Sequence, residues 1–135
     1  MLEYIISFFE FFLKLPKSTQ NKIIDAVIST LTLAFRRFFK NRSNEDLNQA
    51  TESAVTPHQW QGTTATVSSY VPSLYPKKKK EEFAKSIVDL VKSKEFIDQL
   101  SKRIDRVQTD DEEAYVALCS IETKKLIIEM MDNKK

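Results

Sequence analysis

IIDAVISTLTLAFRRFF, residues 23–39, is the stretch whose reading decides the fold. At 100° per residue, Ile23, Ile24, Val27, Ile28, Leu31, Ala34, Phe35, Phe38 and Phe39 fall on one face, with Lys22, Asp25, Ser29, Thr32, Arg36, Arg37 and Lys40 opposite. This predicts an amphipathic helix, and Arg36, Arg37 and Lys40 sit in its last turns, where cations complement the helix dipole. An apolar face so long has to be covered by other elements. The composition says which kind: nine Phe against one Gly, 41% apolar and 30% charged residues in a chain of 135, which suits neither disorder nor a loop-rich β fold. The expected class is all-α.

Toward the N-terminus, Pro16 interrupts the helical pattern, and Ser18 or Thr19 is placed to cap the helix that follows. Residues 1–15 predict a preceding helix with one narrow polar stripe of Glu3, Ser7, Glu10 and Lys14. Leu2, Ile5, Ile6, Phe9, Phe12 and Leu13 form one apolar face, and Tyr4, Phe8, Phe11 and Leu15 form a second beside it, so roughly 220° of the circumference is apolar. The short connection predicts an antiparallel helical hairpin over residues 1–40, the larger face lying on the 23–39 stripe. Full burial of a large apolar side chain contributes about 1.5–3 kcal/mol, so leaving the four residues of the second face in water forfeits roughly 6–12 kcal/mol. A whole domain is stable by only ~5–15 kcal/mol, so something covers that face. The candidates are the C-terminal helices, another copy, a different protein, a bilayer surface, or the following segment, with Trp60, Tyr70 and Tyr75 as anchors.

Toward the C-terminus the composition changes. From Asn41 to Pro76, Thr, Ser and Pro are frequent, and no acidic or basic residue occurs between Glu52 and Lys77. Residues 41–76 therefore read as a long connector, with a short extended strand over Thr64 to Val71 that places Ala65, Val67 and Val71 on one side. Within it, Trp60-Gln61-Gly62 resembles the Trp-x-Gly turn of small type VII-secreted helical hairpins. That resemblance covers three residues in a stretch read as non-helical, and no function is carried over from it. Residues 77–135 read as two C-terminal helices. Phe83, Leu90, Ile97 and Ile104 repeat every seven residues after Pro76, with a kink or break near Ser93. Thr109 or Asp110 then caps a final helix, with Glu112 or Glu113 as capping-box partner, running to about Met131. Its apolar residues (Ala114, Leu118, Ile121 and Ile128, then Tyr115, Leu126 and Met130) are spread round the axis, which predicts packing on more than one side. With 1–40 and 77–135 in one folding unit, the arrangement is compatible with a four-helix bundle.

Chemistry-bearing residues are sparse. One Gly removes the glycine-rich phosphate cradles, and one His with one Cys excludes both a Cys/His zinc cluster and an intrachain disulfide. A Cys/His nucleophile would need Cys119 and His58 in hydrogen-bond reach, with a third group orienting the base. Cys119 on an apolar helix reads instead as a small buried side chain, and His58 as an exposed loop residue or a contact. Asp110 to Glu113 lack the alternating spacing and glycine turn of a calcium loop and suit a helix start. The Phe-rich stripes come without a haem, flavin or metal signature. No catalytic, metal or cofactor residue is assigned, and no cofactor is expected.

The net charge of +2 and pI near 8.6 fall short of the basic balance of a nucleic-acid module. Residues 1–40, 41–76, 77–108 and 109–135 carry net charges of +3, −2, +4 and −3, an alternation that suits packed helices. Lys77, Lys78, Lys79 and Lys80 cluster at a helix start, where they oppose the dipole and are compensated in part by Glu81 and Glu82. They read as a solvated helix end, as a site for an acidic partner or, with Arg36, Arg37 and Lys40, as contacts to an anionic surface. The N-terminus opens with Glu3 and lacks the marks of a secretory signal, so cytoplasmic residence is the expectation. The expected function is that of a non-enzymatic helical interaction subunit or adaptor. It would meet a protein partner, or another copy, through Tyr4, Phe8, Phe11 and Leu15 or through Trp60, Tyr70 and Tyr75 of the connector. The alternative is a peripheral membrane-surface protein, with the first helix in the interface and the basic residues on anionic headgroups.

Overall fold

In the computed structural model the backbone of residues 2–133 and the side chains of residues 8–132 are described. Seven helices follow in chain order: α1 (Leu2–Lys14), α2 (Lys17–Asn41), α3 (Leu47–Ala54), α4 (Pro57–Tyr70), α5 (Lys77–Lys92), α6 (Lys94–Ile104) and α7 (Glu112–Asn133). No strand occurs among the described residues.

α2 is the central element. Ile23, Ile24, Val27, Ile28, Leu31, Ala34 and Phe35 are buried, as their periodicity predicts, while Phe38 and Phe39 are half-buried. α3, α4 and α7 all pack on α2. α4 also packs on α5 and α5 on α6, and α6 closes the arrangement against α3 and α7.

Only Leu15 and Pro16 separate α1 from α2, and Gln20 fastens the joint. The two N–H groups of its side-chain amide are shared among the carbonyls of Phe12, Leu13 and Leu15 at 3.1, 3.3 and 2.9 Å, and the Phe12 carbonyl also accepts from the Leu15 amide at 3.1 Å. Pro16, with φ fixed at −56°, starts α2 without a side-chain cap, so the capping role expected of Ser18 or Thr19 is not taken. The expected hairpin packing is also replaced. Among the described residues α1 lies chiefly against α5, where Phe8, Phe11 and Phe12 surround Phe83 at ring-centroid distances of 5.3, 4.8 and 6.3 Å. The buried residues of α2 nearest the joint, Ile23, Ile24, Val27 and Ile28, are aliphatic, whereas Phe83 offers tilted, edge and stacked ring contacts that stabilise beyond area burial.

Residues 41–76 depart most from expectation, because the supposed connector is mostly helix. Two capping boxes open the helices. Asp46 accepts from the Gln49 amide at 2.8 Å while Gln49 Oε1 accepts from the Asp46 amide at 3.2 Å. Thr56 Oγ1 accepts from the Gln59 amide at 3.1 Å while Gln59 Oε1 accepts from the Thr56 amide at 2.8 Å, with Pro57 at the first helical position. The buried hydroxyls of Thr51 and Thr63 donate to carbonyls four residues back, at 2.8 and 3.0 Å, so they bring no unpaired group into the core. Trp60, Thr63, Val67 and Val71 are buried at helical spacing, and Ala65 is exposed, which overturns the strand expected from 64 to 71. Trp60 and Gly62 both lie inside α4, so the Trp-x-Gly segment makes no turn.

The chain does break at Ser93, whose hydroxyl accepts from the Phe96 amide at 3.2 Å and starts α6. The C-terminal region thus holds three helices rather than two. α7 is capped by Asp111, which accepts from the Ala114 amide at 3.0 Å, in place of the expected pairing of Thr109 or Asp110 with Glu112 or Glu113. Thr109 braces the cap by accepting from the Asp111 amide at 3.2 Å.

Gly62 has no positive φ, and a Cβ there would meet nothing within 4 Å. Gly62→Ala should therefore stabilise the chain by about 0.5–1 kcal/mol. Trp60→Ala should destabilise it by about 3–5 kcal/mol. Urea unfolding followed by circular dichroism reads both changes, and a loose connector over 47–70 would leave both silent.

Candidate functional site

The second apolar face of α1 is covered from within. Phe8 and Leu15 are buried, and Phe11 is half-buried between Phe83 and Tyr75, with centroids 4.8 Å from each. Trp60 is buried too, with the Lys92 ammonium 5.6 Å from its ring centre. Phe8, Leu15 and Trp60 are therefore core residues rather than surface anchors. Tyr70 and Tyr75 remain at the surface, and the side chain of Tyr4 lies outside the described residues. Two of the coverings anticipated from sequence are realised: the C-terminal helices, through Phe83 of α5, and in part the following segment, since Tyr75 lies on Phe11.

The basic residues divide into two groups. Arg36 and Lys40 face Glu112 at 3.6 and 3.8 Å and tie the end of α2 to the start of α7. At those separations Glu112 Oε1 is held by charge alone and takes no hydrogen bond. Arg37 makes a two-pronged pair with Glu45, at 2.8 and 3.1 Å, and that carboxylate raises the guanidinium pKa further. Carboxylates of the same chain thus answer these three cations. Lys77, Lys78 and Lys79 are exposed and Lys80 half-exposed, and none of the four forms an ion pair among the described residues.

α7 presents an open apolar row. Tyr115, Val116, Cys119, Thr123, Leu126, Ile127, Met130 and Met131 face the core, whereas Leu118, Ile121 and Ile128 are 42%, 50% and 40% exposed. With Ala114 and Lys125 these three residues follow alternating steps of four and three, the spacing of a coiled-coil seam. The expectation that this helix packs on more than one side is met on one side only. Beside Leu118 a notch of about 270 Å³ is lined by Arg103, Arg106, Val107, Gln108 and Glu122. Arg103 is held there by Glu129 and by Glu122 at 3.8 Å, which also fastens α6 to α7.

A surface groove of about 640 Å³ runs between α2 and α4 past Lys22, Asp25, Ser29, Leu33, Gly62 and Tyr70. It is open, mixed in polarity, and gathers no reactive constellation. Among the described residues no group of three His, Cys, Asp or Glu side chains is placed to hold a metal ion. No described helix is long and apolar enough to cross a membrane. His58 is exposed near the start of α4, while Cys119 is fully buried in α7 with Tyr115 as its hydrogen-bonding neighbour. Burial pushes the Cys119 thiol from its ordinary 9.0 up to about 11, against the lowering effect of the Tyr115 hydrogen bond. Burial likewise raises the Tyr115 hydroxyl well above its ordinary value, and the neighbouring Cys119 adds to the shift.

Cys119 should stay unreactive toward a chromogenic disulfide reagent at neutral pH until urea unfolds the chain. Both groups keep their protons in the folded chain after the unfolded chain has lost them. The stability tied to Cys119 is therefore full below about pH 9 and falls as pH rises toward 11. Thermal melts across that range should show an alkaline limb that Tyr115→Phe makes shallower.

No protein-family model matches the chain, and no curated protein or solved structure matches it, so the functional reading rests on the chemistry of these surfaces.

Proposed function

We propose that the chain is a non-enzymatic helical interaction subunit, an adaptor or component of a larger assembly, that docks through the outer face of α7. The observation that carries this is the row of Leu118, Ile121 and Ile128, left open on a helix whose other side is core. Its spacing suits a helix of another chain. A heptad seam presents knobs on one line, and the notch beside Leu118 offers a hole for a knob from the partner. Lys125 interrupts the apolar row near its middle and among the described residues is answered only by Glu122 at 3.9 Å. A matching helix would carry apolar residues on one face with a carboxylate opposite Lys125. Covering three half-exposed aliphatic side chains contributes roughly 2–4 kcal/mol, enough for the core of an interface whose polar rim sets the partner.

A buried, proton-retaining Cys119 and an exposed His58 support reading the chain as a binding module rather than an enzyme. The proposed docking face moves from the N-terminal helix to α7, because α5 already occupies the second face of α1.

Leu118→Glu and Ile121→Glu should leave helicity and melting temperature near those of the wild type, since both positions face water. A photo-crosslinking residue at 121, in the full chain expressed in its own cells, should capture one defined protein or a second copy. That product should vanish with Leu118→Glu and be absent when the crosslinker sits at the exposed Asp98. Capture that is equal at 121 and 98, or indifferent to Leu118→Glu, would overturn the docking assignment.

A further inference from the structure

The turn between α4 and α5 carries the most exposed large apolar side chain among the described residues, Leu74, at 93%. Its exposure is built in. Val71 is buried on one side of the turn, the Tyr75 amide donates to the Pro72 carbonyl at 3.2 Å, and Tyr75 is seated edge-on against Phe11 of α1. Pro72 and Pro76 restrict the backbone on either side of the tip. Leu74 thus stands on a braced loop, with the partly exposed Tyr75 next to it in sequence and Tyr70 partly exposed at the end of α4, its ring toward Lys22.

Immediately after the turn come Lys77, Lys78, Lys79 and Lys80, the whole first turn of α5, with no acidic residue among them. Positive charge at a helix start works against the macrodipole, so α5 would be more stable without this run. No carboxylate of the described chain pairs with these lysines, in contrast to Arg36, Arg37 and Lys40. Behind the loop, Ser68, Ser69, Ser73, Lys77 and Lys80 line a shallow recess of about 490 Å³, with Glu81 as its one carboxylate.

We propose that this corner is a docking surface for an anionic lipid bilayer. Leu74 enters the acyl boundary, Tyr70 and Tyr75 lie at headgroup depth, and Lys77 to Lys80 meet lipid phosphates and carboxylates. Charge complementarity alone would admit nucleic acid or an acidic protein. The combination of a protruding leucine, amphipathic tyrosines and a lysine cluster fits the layered polarity of a bilayer surface better than either. The proposal stands apart from the α7 seam and places the membrane contact on the turn, since Phe8, Phe9 and Phe12 of α1 are buried inside the chain.

The test is co-sedimentation of the full chain with phosphatidylcholine vesicles, with and without about 30 mol % phosphatidylserine, the lipid that gives a membrane its negative surface. Wild type should pellet only with the anionic vesicles and be released by high salt. Leu74→Ser, at a position nearly free of contacts, should weaken partitioning roughly tenfold without altering the fold. Replacing all four lysines by Gln should weaken it about 100-fold or more, and the pair Lys78→Gln and Lys79→Gln about 10- to 30-fold. A polarity-sensitive dye on Leu74→Cys should shift to the blue on binding, whereas the same dye on Ala117→Cys should not. Failure to bind anionic vesicles at low salt would overturn the proposal. So would binding indifferent to Leu74→Ser with an unshifted dye, which would mark the lysines as a site for another polyanion. Displacement by excess soluble glycerophosphoserine would point to a free headgroup in the recess and likewise overturn the bilayer assignment.

Discussion

The apolar stripe of α2 is too long for any one neighbour, and that constraint arranges the rest of the chain. With 25 residues α2 is about 37 Å long, and its buried positions run from Ile23 to Phe35. On one side it is covered by two shorter helices in series. Glu45, just before α3, pairs with Arg37 near the end of α2, while Thr63 of α4 meets Thr30 near its middle and Tyr70 approaches Lys22 near its start. The chain therefore runs back along α2 as α3 and then α4, with Val55 and Thr56 between them. On another side α7 runs antiparallel, its first turn fixed by Glu112 to Arg36 and Lys40 and by the Tyr115 ring 5.1 Å from Phe39. A non-helical segment over 41–76 would have left one flank of this stripe, and its own backbone polar groups, without regular partners.

The same constraint explains what could be read in advance. The buried set of α2 was legible because apolar periodicity and burial coincide there, and the break at Ser93 was legible because the seven-residue repeat loses its supporting positions. α3 and α4 were missed because Thr and Ser dominate them and their apolar residues are few. The signals present were local: Asp46 with Gln49, and Thr56-Pro57 with Gln59, are capping boxes visible in sequence. Trp60, Val67 and Val71 also recur at helical steps once Thr63 is allowed to be a core residue. A threonine that returns its hydroxyl to the carbonyl four residues back is polar in composition and apolar in packing, so composition misjudged it.

Surface positions were harder to foresee than core ones. The second face of α1 carries as much apolar area as many interfaces, and nothing in its own spacing could reveal that Phe83 would fill it. That choice depends on residues more than sixty positions apart in sequence. Leu118, Ile121 and Ile128 were legible only as a distribution: the spread of apolar residues round α7 implied two covered sides, and the chain supplies one. Leu74 was one spaced apolar residue among several in a polar stretch, and its prominence comes from the turn that Pro72, Tyr75 and Pro76 shape around it.

Charge allocation separates the two surfaces that remain open. Lys40 sits in the last turn of α2, where the dipole favours it, and Arg36, Arg37 and Lys40 are all answered by Glu45 or Glu112, so that cluster holds α2 to its neighbours. The lysines of α5 sit where the dipole disfavours them and are answered by no carboxylate among the described residues. The α7 seam, in contrast, is nearly neutral, with one lysine in an apolar row and its flanking glutamates held by Arg103. A surface of the first kind attracts over a distance set by salt and tolerates many geometries. One of the second kind discriminates by shape at contact and is little affected by salt. The two faces are therefore suited to different tasks, α5 and its turn to holding the chain near a negatively charged surface, and α7 to selecting what it binds.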